Sequence, residues 1–236
     1  MSSNRVNNTP TCTIYLMRHG DSRQDEIKRY IGQADLPLNA DGRTQAYCWK
    51  QELAHYSLER IFCSDLSRSL ETARIIAEGR SELVQPLHKL REINLGAWDG
   101  LSFDDVQRLY PSENERRGAA MVTYRTPGGE CFADLAARVV PLFVEIVRGS
   151  SGNLLFVGHS GVNKVIICHI LGMPLENLFR IRQDYACMNI IDIDNHGMRL
   201  RKMNIANLSS SPLPSFGANS AVKNYRHSSP KSDDST

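Results

Sequence analysis

Thr13-Ile14-Tyr15-Leu16-Met17-Arg18-His19-Gly20 is an apolar run that ends abruptly in a guanidinium, an imidazole and a glycine. A run of that length, bounded in that way, reads as a buried strand. The cation and the ring are thereby set at the mouth of the strand, an unusual place for two ionisable groups. Glycine permits a tight turn there, so a ring nitrogen can be held in one direction beside a guanidinium able to grip a tetrahedral oxyanion. Read alone, Arg18-His19-Gly20 fits a solvated turn after an edge strand equally well.

Further apolar runs at 59 to 63 and 153 to 158 have the same length and bounding, and each of the three is followed by a segment with helical spacing. Helices are expected over 42 to 56, 68 to 78, 132 to 147 and 162 to 171. In the third, Leu135, Val139, Leu142, Phe143 and Ile146 repeat on one face. This alternation implies an α/β fold, a three-layer α/β/α arrangement whose mainly parallel sheet is covered on both faces. Reactive groups of such sheets gather beyond the carboxyl ends of the strands, where His19 and His159 fall. The less regular stretch 84 to 130, with a helix expected over 103 to 110, reads as an insertion over the active site. Apolar clusters at 190 to 205 around His196-Gly197 suggest a closing hairpin. From Leu208 onward Ser, Pro and Asn dominate, so the expected organisation is one domain over 11 to 207 and a disordered tail over 208 to 236.

A net charge of +2, drawn from 28 basic and 26 acidic residues spread along the chain, argues against nucleic acid as a partner. Six cysteines, without a CxxC pair and mostly in apolar segments, read as reduced core residues. The first residues lack the apolar stretch of a signal sequence, and no segment reaches membrane-spanning length. A soluble cytoplasmic protein with no membrane partner is the expectation. The seven histidines show no paired spacing with carboxylates or cysteines, so neither a metal nor a cofactor is expected, and His169 reads as structural.

Three further segments end in chemistry: Ser64-Asp65-Leu66-Ser67-Arg68, Leu90-Arg91-Glu92-Ile93-Asn94-Leu95-Gly96-Ala97-Trp98 and Phe156-Val157-Gly158-His159-Ser160-Gly161. Taken singly, Arg68 is a solvated cation on a helix's first turn and His159 a structural histidine. Together with Gly32-Gln33-Ala34-Asp35 and Pro127-Gly128-Gly129-Glu130, the ordered set resembles the histidine phosphatase superfamily, the phosphoglycerate-mutase-like proteins, over roughly residues 12 to 205.

The resemblance implies phosphoryl transfer through a phosphohistidine, with His19 as nucleophile and its other ring nitrogen held by an acceptor such as a backbone carbonyl. It implies that Arg18 and Arg68 supply forks to the phosphate oxygens, that His159 adds a donor at a helix start, and that Glu92 is the acid for the leaving alcohol. Gln33 is a candidate contact at the rim. Two positions depart from the commonest pattern. Asp21-Ser22 replaces Glu followed by Thr or Ser, and Asp25 stands where many members have an asparagine that donates to phosphate. An ionised carboxylate cannot donate. Either Asp25 points away and Gln24 or Ser22 substitutes, or the first loop is arranged differently.

The implied activity is hydrolysis of a small phosphorylated metabolite. The mutase alternative is disfavoured by the short run from Trp98 to Pro127 and by Arg23-Gln24-Asp25, where mutases carry a tryptophan-asparagine pair. The 31 to 38 loop and the short insertion resemble those of bacterial α-ribazole-5′-phosphate phosphatases of the cobalamin pathway. A non-catalytic phosphate-binding protein would have no need of Glu92.

Overall fold

The computed structural model describes residues 12 to 206. The expected domain reaches one residue beyond that stretch at each end, and the expected tail lies outside the described residues. Six strands, β1 (Cys12–Arg18), β2 (Leu58–Cys63), β3 (Val84–Pro86), β4 (Gly152–Gly158), β5 (Met188–Asp194) and β6 (Gly197–Ile205), form one sheet in the order β3-β2-β4-β1-β5-β6. The first four are mutually parallel; β5 runs antiparallel to β1, and β6 returns beside β5 as the expected hairpin.

Period-2 alternation along the strands creates the three layers. Tyr15 and Met17, with Ile61, Leu155 and Val157, pack with Trp49 and Leu53 of helix α1 (Ala40–Leu53) and Ala73 and Ile76 of α2 (Ser67–Ile76). Ile14 and Leu16 belong to the opposite cluster, with Phe62, Leu154 and Phe156. That cluster takes in the buried faces of α5 (Phe132–Arg148) and α6 (Ser160–Leu171). On α5 the fully buried stripe is Leu135, Val139, Phe143 and Val147, four residues apart, while Leu142 and Ile146 flank it half-buried. Burying each such side chain contributes roughly 1.5–3 kcal/mol.

Two further helices cross the insertion, α3 (Phe103–Leu109) and α4 (Pro111–Ala119). The first is capped by Ser102, whose hydroxyl accepts from the Asp105 amide at 3.0 Å. The second was not expected. It starts on a proline, is mostly charged or small, and contributes no buried residue, so no apolar period betrays it. Strand β3 also escaped, being three residues long with a proline at the sheet edge.

Candidate active site

Register brings the chemistry to one point. Arg18 pairs with Gly158, and Met17 and Cys63 both pair with Val157, so β1, β2 and β4 end side by side. His19 follows β1, His159 follows β4, and Arg68 is the second residue of the helix after β2. The His19 amide donates to Gly158 O at 3.0 Å and the Ser64 amide to Val157 O at 3.1 Å, fixing the departing chains together. The turn after His19 needs its glycine: a Cβ on Gly20 would lie 2.4 Å from the Gly42 carbonyl oxygen.

The His19 ring is buried and oriented at both nitrogens. Its Nδ1 lies 2.7 Å from Gly20 O, and a carbonyl only accepts, so Nδ1 carries the proton. The backbone carbonyl expected from sequence is therefore Gly20's own. Nε2 then holds the lone pair and accepts from Arg68 Nε at 3.2 Å. Burial, then Arg68 and Arg18, lower the His19 pKa well below the ordinary histidine value. At neutral pH the ring is unprotonated at Nε2.

Arg68 is held differently from expectation. Its Nη1 donates to Ala34 O at 2.8 Å and Nη2 to Gly32 O at 2.6 Å, so the fork grips two backbone carbonyls while Nε faces His19. Those carbonyls belong to the loop expected at the rim, and Asp99 secures it: its carboxylate accepts from the amides of Gly32, Gln33 and Ala34, each at 2.8 Å. Arg18 stacks on Tyr185, with the guanidinium carbon 3.7 Å from the ring centroid, and donates from Nη1 to Gln183 O at 2.8 Å. Its Nε is buried without a partner among the described residues.

His159 is 0% exposed, its ring centroid 5.0 Å from that of His19, and neither of its nitrogens has a partner among the described residues. Two unsatisfied buried nitrogens beside the His19 ring mark a place for a polar ligand. Burial first, then Arg68, hold its pKa well below the ordinary range. For both histidines the folded protein disfavours the proton that the unfolded chain accepts near pH 6.5, so their stabilising contribution is complete above about 6.5 and is lost as pH falls below it. The thermal midpoint should therefore drop between pH 7.5 and 5.5, and His19→Gln should shallow that drop; an unchanged slope in the variant would contradict the buried neutral ring.

Glu92 reaches the site from the insertion side. Its Oε1 accepts from the Ile93 amide and its Oε2 from the Gly161 amide, both at 2.9 Å, the latter two residues past His159. Gly161 is required: a Cβ there would come 2.4 Å from Glu92 Oε1. Trp98, from the same segment as Glu92, packs in the core against Tyr30, Tyr110 and Tyr124. Gln33 supports Glu92 from behind, its Nε2 donating to Glu92 O at 3.0 Å. Asp25 points away: its carboxylate pairs with Arg29 at 3.0 Å and accepts from the Ile27 amide. Gln24 is engaged too, donating to Ser22 O.

Sequence reasoning missed the supports. Arg138 donates to Glu92 O and Lys89 O while ion-paired with Glu130 at 2.7 Å. Asn189 donates to Leu16 O and Gln183 at 2.9 Å each, bracing the segment that holds Arg18. Charged and amide residues on scattered elements carry no local signal of this kind.

The model of the histidine phosphatase superfamily (branch 1) matches residues 14–206. The chain belongs to that superfamily. Among relatives of this histidine phosphatase, the adenosylcobalamin/alpha-ribazole phosphatase of Escherichia coli (strain K12) is 30% identical over 193 residues, 81% of this chain and 95% of that one. Phosphoserine phosphatase 1 of Hydrogenobacter thermophilus is also 30% identical, over 194 residues, 81% of this chain and 92% of that one. The crystal structure of the alpha-ribazole phosphatase from Shigella flexneri matches with a TM-score of 0.77 at 28% identity, covering 82% of this chain and 96% of that one. This histidine phosphatase thus has the α/β fold with a mostly parallel sheet that those proteins share.

Proposed function

We propose that the chain hydrolyses small phosphomonoesters in two steps through a phosphohistidine on His19. The observation that carries this reading is the fixed tautomer: Nδ1–H is bound to Gly20 O and the Nε2 lone pair lies beside Arg68. Nε2 attacks phosphorus, the ester oxygen departs with a proton from Glu92, and water then attacks the phosphohistidine, returning a proton to Glu92 and freeing Nε2. Arg68 Nε, Arg18 Nε and His159 are donors for the phosphoryl oxygens, stabilising charge that grows in the transition state. Rapid quenching with substrate labelled on phosphorus should trap an acid-labile, base-stable phosphoenzyme. Turnover with no trapped label under single-turnover conditions would overturn the proposal.

Arg68→Lys should lower kcat/KM by about 10²-fold or more, because an ammonium cannot face His19 and span two carbonyls at once. Near-normal kcat/KM would remove Arg68 from the reaction. Activity should survive chelators and be inhibited by vanadate, whose five-coordinate geometry mimics the transferring group; loss on chelation, restored by a divalent ion, would contradict the metal-free scheme. Isomerisation of 3-phosphoglycerate, tested in parallel, should be absent, as hydrolysis is favoured over the mutase reading.

The narrower reading, α-ribazole 5′-phosphate as substrate, is supported by the names of relatives, and a phosphoserine phosphatase of equal identity weighs against it. We assign the reaction to a reducing, cytoplasmic setting, since all six cysteines are unpaired and five are buried. Among the described residues, no helix is long and apolar enough to cross a membrane.

A further inference from the structure

The segment 182 to 187, which leads into β5, is the seat of Arg18. Its Gln183 carbonyl accepts from Arg18 Nη1 at 2.8 Å, its Tyr185 ring stacks on the guanidinium, and its Cys187 carbonyl accepts from the Arg18 amide at 3.0 Å. It touches His19 as well, the Ala186 amide donating to His19 O at 2.9 Å. Neither helix nor strand runs through the segment, and it passes Ala186 at a φ of 54°, a left-handed conformation that is strained for a residue with a Cβ. Other bonds must therefore hold it in place.

Those bonds come from three side-chain amides. Gln183 and Asn189 form a reciprocal pair, Gln183 Nε2 donating to Asn189 Oδ1 and Asn189 Nδ2 to Gln183 Oε1, both at 2.9 Å. Asn189 Nδ2 also donates to Leu16 O, two residues before Arg18 on β1. From the other side, Asn163 Nδ2 donates to Gln183 Oε1 at 3.1 Å. Asn163 stands on the first turn of α6, its backbone amide bonded to the carbonyl of His159, the residue that caps the helix. Its Oδ1 has no partner among the described residues, so the side chain is turned to Gln183 by that single bond.

Asn163, Gln183 and Asn189 are 0%, 6% and 0% exposed. Amides so deeply placed are costly to desolvate, and apolar side chains of the same size would fill the space without that cost. Apolar packing, however, does not fix direction, whereas a satisfied amide lattice admits one arrangement. This lattice ties the seat of Arg18 to β1 and to the helix that His159 caps. We propose that Gln183 is a positioning residue for phosphoryl transfer: anchored by Asn163 and Asn189, it sets the Arg18 guanidinium in a fixed relation to His159. The inference rests on the phosphatase reading, in which Arg18 and His159 both donate to the phosphoryl oxygens. The Gln183 side chain makes no bond to His19 or to the guanidinium; it acts by fixing the carbonyl and the ring that Arg18 leans on.

The test is a double-substitution cycle. Gln183→Met, similar in size but without the amide, should lower kcat/KM for p-nitrophenyl phosphate by about tenfold to a hundredfold, the range that a misplacement of about 1 Å brings. In enzyme already carrying Arg18→Met the same change should cost less than about threefold, because the group it positions is gone. A residue that merely supports the fold would multiply its loss onto that of Arg18→Met. Asn163→Ala, which removes one bond and leaves the Gln183–Asn189 pair, should give a smaller loss that also vanishes in the Arg18→Met background, and it carries the cycle if Gln183→Met does not fold. A phosphatase reading that fails appears as no phosphate release from any ester; the same cycle, read as the Kd of inorganic phosphate by calorimetry, then judges the positioning role without turnover. Losses that multiply in the double variants, or near wild-type values in both Gln183→Met and Asn163→Ala, would overturn it.

Discussion

Replacing His19 with alanine is expected to abolish turnover, with a loss on the order of 10⁴-fold or more, as for removal of other enzymatic nucleophiles. The reason lies in how singular its position is. No other ring at the site has one nitrogen committed to a carbonyl and the other facing a guanidinium at 3.2 Å. His159 is near, but its nitrogens are held by nothing in the described protein, so its ring lacks the fixed tautomer. The measurement is incorporation of labelled phosphate after rapid quenching, alongside steady-state release. A His19→Ala enzyme that still labels to full stoichiometry would transfer the nucleophile's role to another residue, with His159 the first to test.

The second large effect concerns Glu92→Gln and depends on the substrate. A glutamine keeps the acceptor for one of the two amides now bound at 2.9 Å, so the local backbone should stay in place while the transferable proton is lost. Phosphoenzyme formation should slow severely with alkyl phosphates, whose alkoxide is a poor leaving group, and much less with p-nitrophenyl phosphate. The two losses should differ by about tenfold to a hundredfold, in keeping with the usual contribution of general acid catalysis. Single-turnover kinetics keep the dephosphorylation step from masking the first. Equal losses on both substrates would make Glu92 a positioning residue.

The strands that carry the site were legible because each apolar run ends where the chemistry begins, and the helical segments now seen as α1, α2, α5 and α6 were read closely enough to give both covering layers. His19, Arg18, Arg68, Glu92 and His159 were recognisable from ordered motifs, and the structure brings them to one end of the sheet. Orientation was not legible. That Arg68 would spend its fork on Gly32 and Ala34 depends on a loop more than thirty residues away, itself fixed by Asp99 from a third segment. The same holds for Arg138 behind Glu92 and for Asn163 and Gln183. Each is an ordinary charged or amide residue in sequence, and only its surroundings after folding distinguish it. Asp25 shows the opposite case: an ionised carboxylate cannot donate to a phosphate, which made its pointing away one of two readings, and it pairs with Arg29.

The helix α4 contributes no residue to the buried core. Substitutions along such a helix should leave stability within about 0.5 kcal/mol, whereas a change at Gly20 or Gly161 collides with neighbouring atoms at once. Sequence change can therefore accumulate on one side of this enzyme at little cost to the fold, while the two glycines leave the other side almost no freedom to vary.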